Sequence, residues 1–203
     1  MQGRSELNQL SLSDVIESRL SGQDRVLAKI IAAQPARWPS EPLEDPIWGL
    51  VRIVVAQQVS THVACTIADR IKAAFPDVIS PTRTIIPSRA DFRAFGMPEK
   101  RAQCCVELLQ RSVEILEKIQ QGDPWEIALT GIKGIGPWTL ATFRVMVLRE
   151  PDVLPLGDVG LERAVANIYG PDANVAELSE TWRPFRSVAC WYLWRTLGNK
   201  QLG

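Results

Sequence analysis

The stretch LTGIKGIGPWTLATF, residues 129–143, restricts the possible folds more than any other part of the chain. Gly131, Gly134 and Gly136 fall close together, and Pro137 and Trp138 follow at once. Glycine turns the backbone tightly and takes positive φ at little steric cost, while proline suits the first turn of a helix. The spacing predicts a helix, a tight glycine hairpin and a second helix running to about Arg149. Such a turn directs backbone N–H groups outward beside the positive end of a helix dipole, which suits a phosphate oxygen. A backbone grip of this kind ignores base sequence, and Lys133 at the tip adds one positive charge. A plain connection between two packed helices would use the same glycines.

The remainder also reads as helix. GDPWEIAL offers Asp123 as a cap, Pro124 at the first helical position and Glu126 to complete a capping box. MPEKRAQCCVELLQRSVEILEKI begins at Pro98 and places Val106, Leu109, Val113, Leu116 and Ile119 at helical spacing. Ser88 caps PSRADFRAF, and DRVLAKIIAA and WRPFRSVACWYLWRTLG are helical, the last ending at Gly198. LVRIVVAQQVS has the β-branched content of a buried strand. No alternating partner strands surround it, so a buried helix fits better. The expectation is an all-α chain of about ten short helices.

At 203 residues the chain can bury one core or two closely packed subdomains. No apolar run is long enough to span a membrane, and MQGRSELNQL does not read as a signal peptide. Cys65, Cys104, Cys105 and Cys190 have no metal or disulfide spacing and read as core thiols of a reducing compartment. His62 is the single histidine, too little for a metal site or extensive acid–base chemistry. Net charge is zero, which by itself does not suggest a nucleic acid. Arg183, Arg186, Arg195 and Lys200 nevertheless fall in an acid-free C-terminal stretch and offer a basic face.

About twenty residues after the hairpin comes VLPLGDVGLERAV, where Asp158 precedes another helix. An aspartate there is an N-cap in the simplest reading. It also projects where the hairpin would hold a DNA backbone, and both roles are compatible.

GIKGIGPW followed by LPLGD resembles the helix-hairpin-helix plus Gly/Pro…Asp superfamily of base-excision DNA glycosylases. PIWGLVRIVVAQQVS, FRAFGMPEKRAQ and WRPFRSVACWYLW resemble its 3-methyladenine DNA glycosylase II branch. The likeness covers roughly residues 45–197, and residues 1–44 add little. It implies two closely packed helical subdomains, about 55–150 with the hairpin (about 129–149) and about 1–54 plus 151–203, with the active site in the cleft between them.

The resemblance makes Asp158 the catalytic carboxylate. Breaking an N-glycosidic bond builds positive charge on the sugar, which a fixed carboxylate stabilises, and the same group can orient the attacking water. An alkylated purine such as 3-methyladenine is already cationic and leaves neutral, so no acid is needed. The resemblance places Trp138 and Trp194 in the pocket that receives the flipped base, where an indole face attracts a cationic ring. Trp48, Trp182 and Trp191 read as core. Thr142 stands where some members carry an aromatic residue. Gln58 matches the wedge that fills the gap left by the flipped base, while Gln57 and Ser60 support that loop or touch phosphate. Lys133, Gly134, Gly136 and Thr139 match the hairpin's DNA grip, and Lys100 and Arg101 begin a helix near DNA.

Superfamily members that also cut the backbone have a lysine at the position of Trp138, and an indole cannot form a Schiff base. The expectation is a monomeric, monofunctional glycosylase for alkylated bases in duplex DNA, located in cytoplasm, nucleoid or nucleus. No cofactor or metal is expected beyond a monovalent cation on the hairpin carbonyls. A non-catalytic DNA-binding module and a glycosylase for oxidised or mismatched bases remain the alternatives.

Overall fold

The computed structural model describes residues 11–80 and 84–198. Lys200 lies outside them. Eleven α-helices form, with no strand among the described residues: α1 Leu12–Gln23, α2 Arg25–Ala33, α3 Pro46–Ala56, α4 Thr61–Ala74, α5 Arg89–Ala94, α6 Glu99–Gln110, α7 Ser112–Gln121, α8 Pro137–Met146, α9 Val159–Tyr169, α10 Val175–Glu180 and α11 Arg186–Thr196. None of the described helices is long and apolar enough to cross a membrane.

Most starts are written locally. Ser11 with Asp14 and Ser88 with Asp91 form capping boxes. Asp24, Asp45, Ser60, Asp158 and Asn174 each cap the following helix through a side-chain oxygen. The β-branched run forms α3, buried along Ile47, Leu50, Val51, Ile53, Val54 and Val55. It packs on α4, α6 and α8. A Cβ at Gly49 would lie 2.7 Å from Val147 Cγ2, so glycine there lets the chain after α8 press against α3. The boundary expected near residue 54 falls inside this helix.

A second group, α1, α2, α9, α10 and α11, is pinned by two carboxylate hubs, one half-buried and one buried. Asp24 accepts from Val26 N–H, Leu27 N–H, Tyr169 O–H and the Trp182 indole N–H. Glu17 accepts from Arg37, the Trp38 backbone and Tyr192 O–H.

Three sequence expectations need correction. The long helix from Pro98 breaks at Arg111, which leaves α6 and α7 as separate helices. Arg111 donates to the carbonyls of Ala128 and Thr130, so the break ties both helices to the hairpin's entry. The break also rephases the apolar face, leaving Val113 65% exposed and Ile115 buried. Second, Asp123 caps no helix. Its N–H closes the end of α7 on Lys118 O beyond the left-handed Gly122, and Pro124 then takes the cap position of a single 3₁₀ turn, Trp125–Leu129. Third, α8 ends at Met146, and Arg149 lies beyond it with φ +58°. Cys104, Cys105 and Cys190 are buried and Cys65 is half-buried.

Candidate active site

The hairpin joins the 3₁₀ turn to α8. Gly131 (φ +84°) and Gly134 (φ +106°) take conformations that favour glycine, and Gly136 is extended at φ −122° with open space where a Cβ would stand. Pro137 opens α8, as its position suggests. Lys133 and Gly134 are exposed at the tip.

Gln57 joins α3 to this hairpin. Its amide donates to Gly134 O and to Thr139 Oγ1, both at 3.0 Å. Thr139 is only 2% exposed, so its side chain braces Gln57 and does not reach a DNA surface, a correction to its expected contact. Arg101 donates to the carbonyls of Val55 and Gln57, which commits it to holding the end of α3, whereas Lys100 is exposed. Ser60 is exposed and caps α4 by accepting from Val63 N–H. Gln58, between these two turns, is exposed with φ +57°. A non-glycine residue in that region stores roughly 1–2 kcal/mol of strain.

Beside these groups lies a cleft of about 780 Å³ lined by Gln57, Gln58, Ser60, Gly134, Gly136, Trp138, Thr142, Asp158, Arg163 and Trp194, among others. Asp158 sits in it, 9% exposed and N-cap of α9. Its Oδ1 accepts from Leu161 N–H at 2.6 Å and from Trp194 Nε1–H at 2.9 Å. Its Oδ2 accepts from Trp138 Nε1–H at 2.6 Å. The carboxylate is therefore oriented by three neutral donors and no cation. Trp138 and Trp194 both line the cleft, and both aim their N–H edges at the carboxylate, a contact that their sequence positions did not reveal. Thr142, one turn beyond Trp138, is buried with no hydrogen-bond partner for its hydroxyl. Trp182 and Trp191 are core and Trp48 is half-buried.

The expected C-terminal basic face does not form from the described residues. Arg183 and Arg186 are engaged by Asp152 and Glu180, and Arg195 lies over the Trp191 ring and donates to Gln34. The charges around the cleft are instead Arg52, Arg163 and Asp158. Sequence reading missed both arginines, because neither belongs to a basic cluster.

No family profile matches the sequence. A DNA-3-methyladenine glycosylase 1 of Schizosaccharomyces pombe is 28% identical over 197 residues, covering 89% of this chain and 86% of that protein. A structure of the Schizosaccharomyces pombe 3-methyladenine DNA glycosylase Mag1 in complex with abasic DNA superposes with TM-score 0.71 at 26% identity, covering 91% of this chain and 97% of that one. The chain is thus similar in sequence and fold to DNA glycosylases of the 3-methyladenine type. A probable bifunctional transcriptional activator/DNA repair enzyme of Mycobacterium tuberculosis is 29% identical over 190 residues, covering 87% of this chain. The chain spans 38% of the length of that relative.

Proposed function

We propose that this protein is a monofunctional DNA glycosylase that hydrolyses the N-glycosidic bond of alkylated purines, such as 3-methyladenine, flipped out of duplex DNA for base-excision repair. The supporting observation is Asp158, a carboxylate held by three N–H groups in a cleft that adjoins the glycine hairpin.

The chemistry asked of these residues is limited. A cationic alkylated base leaves with the electron pair of its bond to the sugar and becomes neutral. The sugar carbon turns electron-deficient as that bond lengthens, and the fixed negative charge of Asp158 stabilises it in a water-poor cleft. Water then attacks the sugar carbon, its proton passes to the carboxylate, and an abasic site remains. Trp138 and Trp194 keep the carboxylate aimed without neutralising it, as an arginine or lysine would. Their rings line the cleft, where aromatic faces attract a cationic base by about 0.5–2 kcal/mol. Thr142 in place of an aromatic residue leaves the pocket floor less stacked and its substrate range its own.

In this reading the hairpin N–H groups and Lys133 hold phosphate, and Gln58, on its strained turn, enters the duplex in place of the flipped base. Gln57, Ser60 and Thr139 support them. One chain supplies every part, consistent with a monomer working wherever the chromosome lies, nucleoid or nucleus. A monovalent cation on the hairpin fits the carbonyl of Ile132, which accepts a single backbone N–H, from Ile135. Such an ion would add positive charge facing phosphate.

No lysine lines the cleft among the described residues, which supports hydrolysis without backbone cleavage. The test is chromatographic release of free bases from methylated duplex DNA by the wild type and by Asp158→Asn, with borohydride added in parallel. Release by the wild type alone, without a covalent adduct, is the expected result. DNA binding without base release would leave a binding module, and a borohydride adduct would mean an amine nucleophile.

A further inference from the structure

Beside the carboxylate stand two large apolar side chains that neither the core nor the proposed chemistry uses. Leu156 is 62% exposed and Val159 is 75% exposed, on either side of Gly157 and Asp158. Isolated exposed apolar residues are ordinary, and Val113 and Ile127 are others in this chain. The position of this pair is what distinguishes it. Val159 lines the same cleft as Gly136, Trp138 and Gln58. The turn that carries the pair is hydrogen-bonded, with Leu156 N–H to Leu154 O at 3.0 Å and Asp158 N–H to Pro155 O at 3.2 Å. These side chains are thus held toward solvent on a fixed turn. Arg163, on the helix that Asp158 caps, also lines the cleft.

The 156–163 rim therefore carries, next to one carboxylate in the chain, two exposed apolar side chains and one cation. A DNA strand presents apolar deoxyribose edges between phosphates. Asp158 alone would repel those phosphates, and a cation on the same helix counters the repulsion.

We propose that Leu156, Val159 and Arg163 form a DNA-contact surface distinct from the hairpin and the Gln58 turn. Leu156 and Val159 pack on the deoxyribose edges of the lesion-bearing strand, and Arg163 takes one of its phosphates. The proposal rests on the glycosylase reading for the seating of the strand, and on the continuity of this rim with the hairpin side of the cleft for its place.

The experiment is fluorescence anisotropy of a duplex carrying a tetrahydrofuran abasic analogue, titrated with protein at several salt concentrations. The proteins are the wild type, Leu156→Ser/Val159→Ser, Arg163→Gln and Val113→Ser, the last a remote residue of similar exposure. Removing two apolar contacts should weaken binding about five- to twentyfold with the salt slope unchanged. Arg163→Gln should weaken binding at low salt and reduce the slope by about 0.9, as for one lost phosphate contact. Val113→Ser should bind as the wild type does. Unchanged affinity and slope in both rim variants would overturn the proposal, and if the wild type still releases bases from methylated DNA, the glycosylase reading stands without the rim. Loss of affinity in both rim variants with no base release by the wild type would leave a DNA-binding rim and remove the enzyme.

Discussion

Gly160→Ala separates the positioning of Asp158 from the stability of the helix that it caps. The backbone at Gly160 lies outside the positive-φ region, so alanine fits its conformation. The obstacle is the new Cβ, which would stand 3.1 Å from Asp158 Oδ1 and 3.7 Å from both Cδ1 and Nε1 of Trp194. An ordinary contact at that oxygen needs a few tenths of an ångström more. Oδ1 cannot yield freely, because Leu161 N–H holds it at 2.6 Å and Trp194 at 2.9 Å. A catalytic group misplaced by 1 Å can cost about 10²-fold in rate, so a shift of a few tenths should cost about three- to tenfold. Stability moves little or upward, since glycine to alanine at a permitted helical site contributes about 0.4–1 kcal/mol through the unfolded chain. Single-turnover base release at saturating enzyme reads the first effect, and thermal unfolding the second. The expected result is a three- to tenfold slower excision step with Tm within about 3 °C of the wild type. A rate within twofold of the wild type would refute the reasoning, because the contact at Oδ1 would then not set the carboxylate's position.

Other substitutions test other parts of the structure. Gln58→Gly should release roughly 1–2 kcal/mol of left-handed strain and raise Tm by a few degrees, while slowing excision by removing the group proposed to enter the duplex; a lower Tm would contradict the strain. At Asp24 burial disfavours the charge, but donors from Leu27, Trp182, Tyr169 and Val26 outweigh it and hold the carboxyl below the ordinary range. Its stabilisation is therefore complete above the unfolded value of about 4 and is lost as pH falls through the lower folded value. Asp24→Ala should cost about 2–3 kcal/mol at pH 7, with a Tm some 5–10 °C lower, and the gap to the wild type should close in acid; a gap that persists would mean that the charge is not what matters. Burial, helped by Glu107, pushes the Cys104 thiol up to about 12, and burial also raises Cys105 and Cys190. Iodoacetamide at pH 8 should modify Cys65 alone in the native protein and all four thiols in denaturant, and rapid modification of a second native thiol would contradict that burial.

What the sequence made legible was what a few adjacent residues determine. The glycine hairpin, Pro137 at the start of α8, Ser88 as the cap of α5 and Asp158 as the cap of α9 each follow from local backbone chemistry. The long helix that breaks at Arg111 was misread because its apolar spacing is continuous. What stops it is a guanidinium reaching carbonyls some seventeen residues away, and periodicity carries no trace of that. Thr139 was misplaced for a related reason. A hydroxyl on the first turn after a DNA-facing hairpin looks available until Gln57, from another helix, is laid across it. The basic C-terminal stretch was a fact of composition that Asp152 and Glu180 cancel in space. The indole edges that hold Asp158 were illegible for the same reason, since Trp138 and Trp194 are separated from it by 20 and 36 residues and meet it only across helices.

The cap of α9 and the charge at the cleft reside in one side chain, and asparagine caps a helix about as well as aspartate does. Replacing Oδ2 with an amide nitrogen therefore keeps the cap on Leu161 N–H, while it removes the charge and sets a donor against the Trp138 indole N–H. On the proposed function, a chain of this architecture that carried asparagine there would still fold and hold damaged DNA, yet release no base. It would stand guard over a lesion that its unaltered counterpart is proposed to remove. Damage recognition and damage removal would then lie one atom apart.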